Sequence, residues 1–303
     1  MSQLTLNPHA KYKESYEHLH AGRYDAGFRL FEYRWHSEVL ANQVTPYTQK
    51  PQGPTVWRGE SLLDKTIVIQ MEQGFGDIFM FARFLPFLKV MGAKKVVLLT
   101  HGSLLRVLGQ FECIDVLTNQ PECPDVVECD YWIGNMSLPY YISCATPYAK
   151  SLFPINSKKI VGSEGYLYAK PSNIEPKIGV NWGASRNILF HIKSIPDHQM
   201  YSLVGDNCYS LSPEHDGFFH PLPDDGWKTD WAVTASHMKA MKGIVTVDTG
   251  TAHLAGALGV KTIVLLPKDE YICWRWKNTK WYDSVIALRQ EEYNQVPDLL
   301  RRM

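Results

Sequence analysis

The sequence predicts an α/β protein with two successive domains, and three observations lead to this fold class. Short runs of β-branched residues alternate with segments of helical periodicity in both halves of the chain, as in parallel sheets joined by helices. A glycine-containing loop follows the first such run of each half, at 72–77 and 182–187. A stretch rich in proline and serine, 147–171, separates the halves. We therefore expect two facing Rossmann-like domains with a ligand in the cleft between them.

Changes in composition place the domain boundaries. Residues 1–42 are predicted to form a helical hairpin, 43–165 the first Rossmann-like domain, 166–290 the second, and 291–303 a terminal helix. In the hairpin, aromatic residues recur at helical spacing on both sides of a break at His20–Arg23. This pattern resembles one tetratricopeptide unit, but a single repeat cannot bury its own face. We expect the hairpin to pack on the following domain, with an extended surface connector at 43–59.

Composition and charge narrow the functional classes. The 303 residues include 31 Lys and Arg against 31 Asp and Glu, which gives a formal net charge of zero. Because nonspecific binding to a polyanion usually needs a basic excess, duplex nucleic acid is disfavoured as a partner, although a local basic groove stays open. The amino-terminal segment lacks the apolar region of a signal peptide, and no stretch approaches an uncharged membrane span. We expect a soluble cytoplasmic protein.

The cysteines and histidines do not indicate a metal site. The six cysteines include no C-x-x-C pair, which favours buried, reduced thiols over a zinc site or a disulfide framework. The histidines are scattered along the chain. We assign neither a metal nor a cofactor.

The first half contains a strand, a glycine loop, a helix and a strand. Lys65–Gln70 has the pattern of a buried strand and runs into the loop Glu72–Asp77. Apolar residues at helical spacing follow over 78–91, and Lys95–Thr100 is the next predicted strand. The two loop glycines let the backbone turn tightly beside a ligand, whereas Asp77 by itself is more simply an N-cap. Further strands are predicted at 115–117 and 131–133, and 126–127 can add another.

The second half repeats this order of elements. The strand Lys177–Asn181 precedes a polar loop, in which Ser185, Arg186, His191 and Lys193 either bind phosphate or form a solvated surface. A strand is predicted at Tyr201–Val204 and a helix at Trp231–Met241. A terminal helix is predicted from Gln295.

The segment 243–267 is a compact β-α-β unit. Ile244, Val245 and Val247 predict a buried strand, and the turn Asp248–Thr251 can cap a helix over 252–258. Gly259 has the position of a C-cap glycine, and Thr262–Leu266 is the second strand. A short helix rich in Ala and Gly lies close to its sheet and presents its first N–H groups at the carboxyl edge of the strands. We interpret this unit as a phosphate site.

Several motifs together resemble a known family. They lie in order over roughly residues 55–290, and they are Glu72–Asp77, Phe81–Pro86, Met136–Pro139, Val247–Gly259, Trp274–Trp276, Trp281–Tyr282 and Leu288–Gln290. In these motifs and their order the chain resembles the glycosyltransferase domain attached to tetratricopeptide arrays in many bacterial proteins. That domain is similar to the ADP-heptose heptosyltransferases and more remotely to the O-GlcNAc transferases. The aromatic hairpin resembles the tetratricopeptide unit that usually precedes this domain.

The resemblance implies a GT-B fold and inverting sugar transfer without a metal. The first domain would hold the acceptor and the second the donor, a nucleotide sugar that is a substrate rather than a cofactor. The resemblance does not specify the acceptor, whose hydroxyl can belong to a glycan, a protein or a modified nucleic acid. It does not specify the oligomeric state either. Asp77 matches the general base of the heptosyltransferases, in an acceptor loop that includes Gln73, Gly74, Gly76 and Arg83. The residues that match the donor site are Asp248, Thr249, Gly250, Thr251 and His253, together with the basic-loop residues Ser185, Arg186 and Lys193.

Alternatives remain for the function and for single residues. A catalytically silent nucleotide-sugar-binding or scaffold protein is the main alternative to an active enzyme. A doubly wound oxidoreductase or epimerase is disfavoured because neither glycine loop reads G-x-G-x-x-G with an acidic residue after the next strand. The structural explanations of single residues are a helix cap for Asp248, a packed histidine for His253, a surface charge for Arg83, and interdomain packing for Trp274, Trp276 and Trp281. Arg275 is a further candidate for a phosphate contact.

Overall fold

Two parallel five-stranded sheets, one in each half of the chain, organise the structure. The computed structural model describes residues 7–36, 55–145, 165–184, 193–213, 219–266, 273–277 and 281–303. The described residues fall into two units. The first lies within 1–105, 111–161 and 277–280, and the second within 106–110, 162–276 and 281–303.

The N-terminal helical hairpin belongs to the first unit. It consists of α1 Pro8–His20, α2 Tyr24–Phe31 and a 3₁₀ helix at Glu32–His36. Asn7 caps α1 by accepting two backbone N–H groups of its first turn, and Gly22 turns the chain with a φ of 71°. The ring of Phe28 meets the ring of Phe81 edge to face, with 6.2 Å between the centroids. The prediction of a hairpin packed on the following domain is therefore confirmed.

The first sheet is entirely parallel. Its strands are β1 Thr55–Val56, β2 Thr66–Gln70, β3 Lys95–Leu99, β4 Val116–Thr118 and β5 Tyr131–Gly134. They are arranged in the order β1-β5-β2-β3-β4. After β2 the chain adds β3 and β4 on one side and β5 on the other. The switch in strand order, where open sheets bind ligands, thus lies between β2 and β5.

The helices of the first half are short. They are α3 Phe75–Ala82, α4 Leu85–Val90, α5 Leu105–Leu108, α6 Pro124–Val127 and α7 Leu138–Ala145, with 3₁₀ helices at Gly102–Leu104 and Asn135–Ser137. The single helix predicted over 78–91 is two helices, because Pro86 lacks the N–H that a continuous helix would need there. A strand at 126–127 is wrong, since these residues end α6, which begins at Pro124.

The second sheet is also entirely parallel. Its strands are β6 Ile178–Asn181, β7 Cys208–Ser210, β8 Gly243–Val247, β9 Thr262–Leu265 and β10 Val285–Leu288, in the order β10-β9-β8-β6-β7. Its switch in strand order lies between β6 and β8. The helices are α8 Asp197–Val204, α9 Trp231–Ala240, α10 Gly250–Ala257, α11 Trp274–Lys277 and α12 Val296–Leu300, with 3₁₀ helices at Gly226–Lys228 and Gln290–Gln295.

The strand predicted at Tyr201–Val204 is wrong, because these residues form the end of α8. Met200, Leu203 and Val204 all pack on the core of the second unit. Their spacing of three and four residues is that of a helix face, and β7 begins only after Gly205 has turned the chain at a φ of 76°. The predicted terminal helix is present but ends at Leu300.

Part of the predicted surface connector at 43–59 is in the sheet. Thr55 and Val56 pair with Tyr131 and Trp132 as the edge strand β1. Trp57 is fully buried, and its indole N–H donates to the Glu60 carbonyl at 2.8 Å. Residues 43–54 of the connector and 147–164 of the predicted linker lie outside the described residues.

The cysteines follow their prediction in part. The described cysteines are free thiols, of which Cys129, Cys208 and Cys273 are buried, whereas Cys113 and Cys123 are only half-buried. Burial raises the pKa of the Cys129 and Cys208 thiols to about 11. In the part of the chain that the structure describes, none of the helices combines the length and the apolar character needed to cross a bilayer.

We expect Gly256→Ala to destabilise the second unit. A Cβ at this position would overlap the ring of Tyr282, so overpacking of about 1–3 kcal/mol should exceed the gain of about 1 kcal/mol in helix propensity. Urea unfolding measures the difference. In a Tyr282→Ala background the same substitution should become neutral or stabilising, and an unchanged cost there would refute the overlap.

Candidate functional site

Asp77 lies in the first turn of α3, which follows β2 and a short glycine loop. Gly74 is the N-cap of α3 and Asp77 is its third residue, with Oδ2 accepting the Gly74 N–H at 3.2 Å. The interpretation of Asp77 as the N-cap residue is therefore wrong, because Gly74 has that position. The Asp77 carboxylate nevertheless accepts the Gly74 N–H from within the first turn. This half-buried carboxylate follows the carboxyl end of β2, next to the switch in strand order.

Most of the residues predicted for the acceptor loop lie together. Gln73 and Gly74 precede α3, and Gly76 and Asp77 are in its first turn. Gln73 has a left-handed φ of 57°. A non-glycine residue in that conformation costs about 1–2 kcal/mol. Arg83 instead follows the opposite end of α3, where it is buried and its Nε donates to a carbonyl of the same helix at 3.0 Å. The structure therefore does not place Arg83 on the loop, and its explanation as a surface charge is wrong.

A buried ion pair anchors this loop, and the sequence analysis missed it. The fully buried Arg34, in the last turn of the hairpin, donates from Nε and Nη2 to the two Glu72 carboxylate oxygens at 2.9 and 2.8 Å. Its Nη1 donates to Glu32 at 2.7 Å and Nη2 also donates to Ser137 at 2.6 Å. Burial alone would lower the pKa of Arg34, but the two carboxylates raise it above its ordinary value. No spacing rule finds this pair, because 38 residues separate its members.

Glu72 also ties β2 to the end of β5. Its N–H donates to Asn135 Oδ1 at 2.8 Å, and its Oε1 accepts the Met136 N–H at 3.3 Å. At Gly134 a Cβ would overlap the Glu72 carboxylate, so only glycine leaves room for the ion pair. These bonds join the two strands that flank the switch point of the first sheet.

The predicted phosphate site lies at the carboxyl ends of β6 and β8. Thr249 is the N-cap of α10, Gly250 and Thr251 are its first two residues, and Asp248 precedes the cap. Asp248 therefore does not cap the helix, and that explanation is wrong. Within the described residues, the Thr249 side chain makes no capping hydrogen bond. The first turn of such a helix has N–H groups without helical partners, and these can bind an anion.

Asp248 instead pairs with Lys193. Lys193 Nζ donates to Oδ2 at 2.8 Å, and His253 Nε2 lies 3.9 Å from Oδ1. Burial by itself would raise the pKa of Asp248, but Lys193, His253 and Trp276 outweigh it and hold this pKa below its usual range. The carboxylate is therefore ionised at neutral pH and keeps an ammonium group near the start of α10.

Asn181 belongs to this site and was missed from the sequence. It is the last residue of β6 and is buried, and its Nδ2 donates to Thr251 Oγ1 at 2.8 Å and to Thr249 Oγ1 at 3.4 Å. Its Oδ1 accepts the Gly183 N–H at 3.2 Å. The available signal was a polar residue that ends a buried strand and precedes a glycine loop. Asn181 orients both hydroxyls at the start of α10.

The aromatic segment packs inside the second unit. His253 is buried, stacks on Trp276 at 4.9 Å between ring centroids, and has Nδ1 3.0 Å from the Tyr282 hydroxyl. It is thus a packed, hydrogen-bonded histidine. Trp274 and Trp281 are buried against each other, and Arg275 lies over the Trp274 ring at 5.1 Å.

Two predicted residues, Ser185 and Arg186, lie outside the described residues, as does His191. Of the predicted basic loop, Lys193 is described. Among the residues that the structure describes, no group of three or more His, Cys, Asp or Glu could hold a metal ion. Among the described residues, the polar side chains at the second switch point include Asn181, Lys193, Asp248, Thr249 and Thr251.

The comparisons with known proteins concern the fold. The sequence matches no protein-family model and no curated protein. A glycosyl transferase of family 9 from Veillonella parvula is similar in structure, with a TM-score of 0.51 and 13% identity over 82% of this chain and 92% of that chain. The ADP-heptose lipopolysaccharide heptosyltransferase II of E. coli has a TM-score of 0.52 and 13% identity, over 78% of this chain and 98% of its own.

These structures confirm the predicted fold class. Two parallel sheets with flanking helices match the GT-B-like fold of the two glycosyltransferases. The resemblance to heptosyltransferases is confirmed at the level of the fold. The links to tetratricopeptide proteins and to O-GlcNAc transferases stay predictions.

We expect Asp248→Asn to make the unfolding free energy less dependent on pH. At pH 7 it should destabilise the protein by about 1–3 kcal/mol, because Lys193 loses its ionised partner. The lowered pKa of Asp248 stabilises the fold above its unfolded pKa of about 3.9, and this contribution is lost as pH falls through the folded value.

Urea unfolding of both proteins between pH 7 and pH 3 measures this effect. The difference should stay constant down to about pH 5 and shrink below about pH 4. Asp225→Asn, at a side chain 86% exposed, is the matched control and should have little effect. A difference that grows with acidification would contradict the assignment.

Proposed function

We propose that this protein is a glycosyltransferase that moves a sugar from a nucleotide-sugar donor to an acceptor hydroxyl. The observation that carries the proposal is the cluster at the second switch point, where Lys193 and the hydroxyls of Thr249 and Thr251 lie around the start of α10. Helix N–H groups, hydroxyls and an ammonium suit a nucleoside diphosphate. The fold shared with two glycosyltransferases supports the same class.

The donor side of the reaction needs a stabilised leaving group. As the bond between the anomeric carbon and the phosphate oxygen breaks, negative charge grows on the departing nucleoside diphosphate. The first N–H groups of α10 and the Lys193 ammonium would stabilise this charge without a metal, and one such donor is typically worth about 3–4 kcal/mol in the transition state. Asp248 holds the ammonium, and Asn181 holds the hydroxyls.

The acceptor side needs a base. Asp77 would take the proton of the acceptor hydroxyl. The acceptor oxygen would at the same time attack the anomeric carbon on the face opposite the leaving group, so that the configuration at this carbon inverts. The Gly74 N–H fixes this carboxylate within the first turn of α3. This chemistry needs no cofactor, because the nucleotide sugar is itself the donor substrate. A glycan, a protein or a modified nucleic acid would each supply a suitable hydroxyl.

Asp77→Asn is expected to lower turnover by about 100- to 10,000-fold, because the amide cannot take the proton. The amide oxygen can still accept the Gly74 N–H, so the fold and donor affinity should be kept. Turnover is measured by mass spectrometry with a panel of nucleotide sugars, scoring hydrolysis first and acceptors second. Asp64→Asn, at an exposed position with a φ of 60°, is the matched control.

Turnover of the Asp77→Asn variant at the wild-type rate would remove Asp77 from the role of base. A wild-type protein that binds nucleotide sugars but turns over none of them would instead identify a silent binding protein. Binding and turnover are therefore measured on the same preparations.

Thr251→Val is expected to weaken the binding of a nucleoside diphosphate about tenfold, since it removes a hydroxyl worth about 1.4 kcal/mol and deprives Asn181 of its shorter hydroxyl contact. Isothermal titration with ADP, UDP and GDP gives the dissociation constants. Thr229→Val, at an exposed position of the same unit, should bind like the wild type. Equal dissociation constants for the two variants would refute the binding of the phosphates at the start of α10.

A further inference from the structure

The Arg34–Glu72 ion pair joins the helical hairpin to the segment that leads to Asp77. Attachment of the hairpin alone would not require a buried ion pair. The Arg34 and Glu72 side chains are 0% and 1% exposed. Removing two charges from water is costly, and an apolar pair of similar volume often stabilises a core equally well or better. Aromatic contacts such as that of Phe28 with Phe81 already attach the hairpin to the unit. The ion pair therefore calls for a role beyond attachment.

The loop between Glu72 and Asp77 is held at both ends. At its start, the Glu72 carboxylate binds Arg34 and the Met136 N–H, and the Glu72 N–H binds Asn135. At its end, Gly74 binds the Asp77 carboxylate.

Between these fixed points Gln73 has a φ of 57°. A residue with a side chain keeps this conformation only where its surroundings impose it. The direction in which the chain leaves Glu72 thus determines where the first turn of α3 presents the Asp77 carboxylate.

We propose that Arg34 is a positioning residue for the Asp77 carboxylate. Its guanidinium binds both carboxylate oxygens of Glu72. This contact keeps Gln73 in its left-handed conformation, which the residue would not keep by itself. The hairpin is then part of the catalytic apparatus through its last turn, rather than a separate repeat. This inference rests on the proposed function, in which Asp77 is the base. Arg34 is buried among protein groups and acts only through Glu72.

The test compares a variant without the ion pair with one that weakens the hairpin elsewhere. Arg34→Met with Glu72→Met removes both fully buried charges and nearly keeps the volume. The Glu32 carboxylate, with a side chain 15% exposed, loses Arg34 but keeps the hydrogen bond from the Ser137 hydroxyl. Leu19→Ala is the matched control, because Leu19 is fully buried in the hairpin and lies outside the ion-pair network. Hydrogen exchange by mass spectrometry follows the peptide 71–80, and steady-state kinetics give kcat and the donor KM.

In the double variant, exchange over 71–80 should accelerate at least tenfold while the β8 peptide stays protected, and kcat should fall at least tenfold with the donor KM within twofold. Leu19→Ala should lower the melting temperature but leave exchange over 71–80 and kcat near the wild-type values. Arg34→Lys, which keeps the charge but loses the two-pronged geometry, should give the same pattern more weakly. It also replaces the double variant if that protein does not fold.

Wild-type exchange and kcat in the double variant, or in Arg34→Lys where that replaces it, would overturn the positioning role. An equal loss of kcat in Leu19→Ala would also overturn it, because general weakening of the hairpin would then suffice. The failure of the proposed function is recognised separately, by the absence of turnover in the wild-type protein, and the failure of the base role by wild-type turnover in Asp77→Asn. Hydrogen exchange still decides in that case whether Arg34 controls the loop.

Discussion

The architecture of the first unit depends on a desolvated guanidinium. Arg34 cannot lose its charge, so the fold must bring carboxylates to it, and Glu72 and Glu32 do so from two different segments. Satisfying it brings the end of the hairpin beside Glu72, which follows β2, and requires that residue 134 is glycine. The polar network thereby determines the conformation of the loop that carries Asp77, next to the switch in strand order.

The two sheets carry different polar groups at corresponding positions. Each places its polar loop at the carboxyl edge beside the strands where the order reverses, because only there do neighbouring crossovers diverge and leave room for a ligand. The loop of the first unit has a carboxylate in the first turn of a helix. The loop of the second unit has two hydroxyls and an ammonium near a helix start. The proposed base and the proposed anion site thus each follow a strand of a parallel sheet.

Two residues show how tertiary contacts reassign local roles. Asp248 has the sequence position of a helix cap, but Lys193 engages its carboxylate and Thr249 takes the N-cap. His253 matches a donor-binding motif, yet its ring is buried between Trp276 and Tyr282. In each case a partner distant in sequence offers a stronger interaction than the nearest backbone group, since it also satisfies a buried polar atom.

The sequence by itself determined the α/β class, the order of most strands and helices and the two glycine loops, because hydrophobic periodicity and glycine act over neighbouring residues. It also placed Asp77 and the segment 248–253 after buried strands, whereas the roles of these residues come from the family resemblance and stay predictions. Only the tertiary structure decided that Tyr201–Val204 is helical, that Trp57 is buried, and that Arg34 and Asn181 belong to the polar sites. The places of Arg34 and Asn181 depend on which side chains meet across 38 to 103 residues of chain, and no local pattern encodes such meetings.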